Sequence, residues 1–90
     1  MDFYTGTVAP ILISRAQQIL DLNPKDYFQL SEACLLICSV GERLLEEEKA
    51  FKQAAQRCLE ALSYLQDLND FEQVSIFILT RKIQNYINLS

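Results

Sequence analysis

From Tyr27 to Leu65, apolar residues recur at steps of three and four: Tyr27, Leu30, Cys34, Ile37, Leu44, Phe51, Ala55, Cys58, Leu62 and Leu65. Only Gly41 and Glu48 interrupt the series. Such spacing lays the side chains along one stripe of an α-helix, and so apolar a stripe needs another surface to cover it. The flanking segments, Val8 to Leu22 and Phe71 to Leu89, supply that surface. The chain therefore reads as all-α: a compact four-helix bundle or helical-hairpin array with short connections, expected to self-associate.

How the long stretch is divided decides the architecture. Ser39-Val40-Gly41-Glu42 resembles a capping box, which places a tight corner at Ser39 to Gly41 and folds the stretch into an antiparallel hairpin. An unbroken helix from Pro24 to Leu68 would run about 65 Å and need a second chain to cover it. The corner is the preferred reading, because a helix that long is far outside the usual range.

The remaining boundaries follow from capping chemistry. Thr7 is an N-cap candidate with Pro10 in the first turn, giving helix 1 from 8 to 22. Asn23-Pro24 starts helix 2, from 24 to 39, with Asp26 near the positive end of its dipole. Helix 3 runs from 42 to 68. Asn69 or Asp70, completed by Glu72 or Gln73, caps helix 4 from 70 to 88. Helix 2 contains Ala33-Cys34-Leu35-Leu36-Ile37-Cys38, apolar on every side, and is the candidate centre of the core. The expected core is Leu12, Ala16, Ile19, Leu30, Cys34, Ile37, Leu44, Phe51, Cys58, Leu62, Leu65, Val74, Ile78 and Ile83.

Ninety residues suit one domain, and with 2 Gly, 2 Pro and half the residues apolar, the composition favours regular structure over loops or disorder. The formal net charge of −4 repels phosphate backbones, and no cluster of basic and aromatic residues offsets it, so nucleic-acid binding is not expected. The charge is uneven: beyond residue 72 the only charged side chains are Arg81 and Lys82. No stretch reads as a targeting segment or membrane span. Three cysteines do not make an even-numbered disulfide framework, and a reducing cytoplasmic location is expected.

The chain has no histidine, which removes the commonest general base and imidazole metal ligand. No phosphate-cradling glycine motif or nucleophile elbow occurs, so neither an enzymatic activity nor a cofactor is expected. Cys34 and Cys38, at i and i+4, point the same way, and Cys58 lies further along the stripe. Folding helix 3 back on helix 2 would bring the three thiols near one another, the basis for an alternative reading as a thiol-based metal or redox sensor. Buried packing is the more ordinary role for such cysteines.

Glu42, Glu46 and Glu47 form an acidic concentration, read as a solvated helix side or a docking patch for a basic partner. The aromatics Phe3, Tyr4, Tyr27 and Phe28 could line a small-molecule pocket, although residues at helix starts more often lid a core. On helix 4, Phe77 falls between Gln73 and Arg81 on the polar side. With two helices more apolar than ninety residues readily cover, the leading expectation is a non-enzymatic protein–protein interaction module: an adaptor, a regulator or a small assembly subunit. It is expected to be homodimeric, with Val74, Phe77 and Arg81 as contact residues.

Overall fold

The computed structural model describes residues 3–41 and 48–89, which form four α-helices: α1 (Phe3–Asp21), α2 (Tyr27–Gly41), α3 (Glu48–Leu62) and α4 (Asp70–Leu89). The long-helix alternative is excluded by one contact. Cys34 on α2 and Cys58 on α3 are hydrogen-bonded, whereas along a straight helix they would stand about 36 Å apart. The reversal, however, does not use Ser39 to Gly41, all of which are helical. Gly41 has an ordinary helical backbone rather than a turn conformation, and it is buried. A Cβ there would stand 2.6 Å from Cδ2 of Tyr86, so this glycine lets α2 approach the ring of a residue on α4.

Three other boundaries differ from those expected, each for a local reason. Helix α1 begins at Phe3, placing Thr7 and Pro10 within it. Ala9 and Ile13 on either side of the proline are buried, and this packing carries the helix through a position with no backbone donor. Asn23 ends α1 instead of starting α2: it takes the left-handed conformation (φ 52°) and donates its N–H to the Leu20 carbonyl at 2.9 Å. Pro24 restricts Asn23 away from the right-handed helical region, and asparagine tolerates the left-handed one. Asp26 is then the α2 cap, its Oδ1 accepting from the Phe28 N–H at 3.0 Å and its carbonyl from the Leu30 N–H at 3.1 Å.

Helix α3 stops at Leu62, short of Leu68. The Ser63 hydroxyl donates to the Glu60 carbonyl at 2.6 Å, the Tyr64 and Leu65 N–H groups bond three residues back, and Asp67 turns the chain at φ 58°. The cap of α4 is as expected. Asn69 Oδ1 accepts from the Glu72 N–H at 2.8 Å, while Glu72 Oε1 accepts from the Asn69 N–H at 3.0 Å, a reciprocal capping box.

The helices alternate in direction. Tyr27 donates its hydroxyl proton to Ser75 Oγ at 2.7 Å near the start of α2 and of α4, and Gly41 meets Tyr86 near the end of both, so these two run parallel. Helix α3 runs opposite to them, with Cys58 beside Cys34 and the Phe51 ring 6.3 Å from that of Tyr86. Both α2 and α3 touch every other helix, whereas α1 and α4 do not pack on each other among the described residues. The bundle is thus a central α2–α3 pair flanked on opposite sides by α1 and α4.

The core lies on that central pair: Leu30, Ala33, Cys34, Ile37, Ala54, Ala55 and Cys58 are completely buried. Ala16 and Ile19 of α1 and Ile83 of α4 complete it, with Phe51 and Leu62. Leu12 and Leu65 only pack against its edge, and Leu44 lies outside the described residues. Val74 and Ile78, expected inside, are 59% and 52% exposed. The inward side of α4 is instead made by Leu79, which was not among the expected core residues, together with Ile83, which was. Helix α2 is not covered all round either, since Phe28 and Leu35 face solvent.

Candidate functional site

Among the described residues, the outward half of α4 carries the most concentrated exposed apolar surface. Helical spacing puts Phe71, Val74, Phe77, Ile78 and Arg81 within one half-turn of arc, opposite Leu79 and Ile83. Phe71 is 75% exposed and Phe77 62%. Together with Val74 and Ile78, two phenylalanines therefore stand in water within two turns of helix. The Arg81 guanidinium carbon lies 5.6 Å from the centre of the Phe77 ring, a cation–π placement that keeps the charge over the strip. The three contact residues expected from the sequence, Val74, Phe77 and Arg81, thus share one face. Sequence reasoning missed that Phe71 and Ile78 join them. Its available signal was the alternative inward stripe Leu79, Ile83 and Tyr86, which leaves these two outside.

The three cysteines are brought into the core. Cys34 and Cys58 are fully buried and Cys38 is 3% exposed, and none of the three is in a disulfide. The hydrogen bond to Cys58, reinforced by burial and by the neighbouring sulfurs of Cys58 and Cys38, pushes the Cys34 thiol far above the usual range, so it stays protonated at neutral pH. A protonated, inaccessible thiol is a poor nucleophile and a poor metal ligand. Among the described residues, no three cysteine or carboxylate side chains are grouped so as to hold a metal ion.

The acidic candidates Glu42, Glu46 and Glu47 lie outside the described residues. Of the aromatics, Phe28 is exposed and Tyr27 is tied to Ser75. Neither lines the shallow depression of about 310 Å³ between the α1–α2 connection and α3. That depression is walled by Leu20, Asn23, Pro24, Lys25, Arg57, Glu60, Ala61 and Tyr64. Its Arg57 is already engaged by Asp21, with Nη2 to Oδ1 at 2.6 Å. Among the described residues no helix is long and apolar enough to cross a membrane. No protein-family model matches the chain, and comparison with curated proteins and with solved structures gives no match.

Proposed function

We propose that this protein is a non-enzymatic protein–protein interaction module, an adaptor, regulator or small subunit of an assembly, which associates as a homodimer through the outward face of α4. The observation that carries this reading is the exposed row Phe71, Val74, Phe77 and Ile78 on one helix. Single apolar residues on a surface need no explanation, but four on one side of one helix form a patch of the kind that marks an interaction site. A guanidinium stacked on a phenylalanine at its edge adds one of the residue types enriched in interface hot spots. The thiol-sensor alternative has less support, since the sulfurs are buried and Cys34 holds its proton.

Substituting Phe77→Glu tests the reading. Association followed by sedimentation over a concentration series should weaken strongly. The helical circular dichroism and the melting temperature should hold, because the ring is mostly outside the core. Unchanged association would remove the α4 face from consideration.

A further inference from the structure

The order of residues along the exposed face of α4 carries more than its apolarity. Asp70, Val74, Phe77 and Arg81 are all exposed and lie on one stripe. Asp70 and Arg81 are eleven residues apart, which brings them within about 20° of each other around the helix and about 16 Å apart along it. The spacing is four, three, four, the same read in either direction, with an acid at one end, a base at the other and two apolar residues between.

We infer that the occupant of this face is a second copy of the same chain, docked with its α4 antiparallel across a two-fold axis that meets the exposed stripe midway between Val74 and Phe77. The inference rests on the reading of α4 as the association face and adds to it the partner's orientation and register. A two-fold axis there sets Asp70 against Arg81 of the second copy, twice, and Val74 against Phe77 of the second copy, twice. Phe71 and Ile78 lie along one flank of this row and widen the apolar strip. In the parallel arrangement, Asp70 would meet Asp70 and Arg81 would meet Arg81, an opposition of like charges that the antiparallel one turns into attraction. The antiparallel arrangement also opposes the two helix dipoles. The stacking of Arg81 over Phe77 holds the guanidinium beside the strip, where the second copy's Asp70 would meet it. Any other partner would need to carry the reversed pattern, which a second copy has by construction.

The test uses charge exchange in the full chain, read by sedimentation equilibrium over a concentration series. Asp70→Arg alone creates two arginine–arginine oppositions, and Arg81→Asp alone creates two between aspartates; each should raise the dimer Kd about tenfold. The double variant carrying both substitutions, and an equimolar mixture of the two single variants, should each return to near the wild-type Kd, because both restore the pairs. That rescue also shows that the single variants fold.

Loss of association in Val74→Glu, combined with indifference to both charge variants, would overturn the antiparallel register while leaving the α4 face standing. A dimer that survives Val74→Glu would overturn the face and the register together. A wild-type chain that is monomeric at every concentration would overturn the second copy as occupant.

Discussion

Helices α2 and α4 begin from similar material and end in different surroundings. Both are apolar round much of their circumference, yet α2 has seven buried residues, from Leu30 to Gly41, while among the described side chains of α4 only Leu79 and Ile83 are fully inside. The difference is position in the packing. Helix α2 touches all three other helices, so little of it remains uncovered; α4 touches α2 and α3 alone, and nothing within the described chain crosses its outer side. Apolar composition establishes that a helix needs cover, whereas neighbours decide which part of it gets cover. What is left over on α4 is then available for association.

The largest effect expected from this contrast is at the centre of α2. Ile37 is completely buried, and Ile37→Ala should lower the stability measured by urea unfolding by about 2–5 kcal/mol, from lost transfer energy plus the cavity left behind. That is a large part of the about 5–13 kcal/mol expected for a domain of this size. A loss below about 1 kcal/mol would mean that α2 is not the packed centre. The next effect is at the seam between the two helices. Alanine is a better helix former than glycine by about 1 kcal/mol, so propensity alone favours Gly41→Ala. The new methyl would stand 2.7 Å from Tyr86 Cγ, at the base of a ring that leans on Phe51 and cannot swing away like the end of a flexible chain. Overpacking costs about 1–3 kcal/mol, and a net loss of about 1 kcal/mol is expected in the same measurement. A gain would show that α4 yields at this contact more easily than the central pair does.

The same contrast shows what the sequence made legible. The four helices, the Asn69–Glu72 box and the central stripe of Leu30, Cys34, Ile37, Phe51, Cys58 and Leu62 follow from periodicity and capping chemistry, and the structure has them. Boundaries went astray where one residue type serves two purposes. Asn23 caps either end of a helix, and only its backbone conformation shows that it closes α1. Ser39 and Gly41 together resemble a helix start, but here the glycine serves a close approach between helices. The same ambiguity hid the site. Val74 and Ile78 sit on the same broad apolar arc as Ile83, and an arc that wide does not say which edge turns inward. The choice is made by Leu79, Ile83 and Tyr86 meeting the central pair, contacts that are distant in sequence. Phe77 and Arg81 were recognisable because a phenylalanine stands out among polar neighbours.

The smallest expected effect separates the two sides of α4 using one residue type. Ile83 is completely buried and Ile78 is 52% exposed, five positions away on the same helix. Ile83→Ala should cost about 2–5 kcal/mol, like other buried large-to-small changes. Ile78→Ala, at concentrations where the protein is monomeric, should cost less than about 0.5 kcal/mol, because surface substitutions outside caps and networks rarely exceed that. Association changes the second number and leaves the first alone. A dimer that covers Ile78 is stabilised by mass action, so the cost of Ile78→Ala should rise as protein concentration passes the dimer Kd, while that of Ile83→Ala stays constant. Thermal unfolding of both variants at a low and a high protein concentration reads this directly. A concentration-independent cost at Ile78 in a chain that does dimerise would place the contact elsewhere on the molecule, and the outer side of α4 would then be surface that the bundle leaves bare.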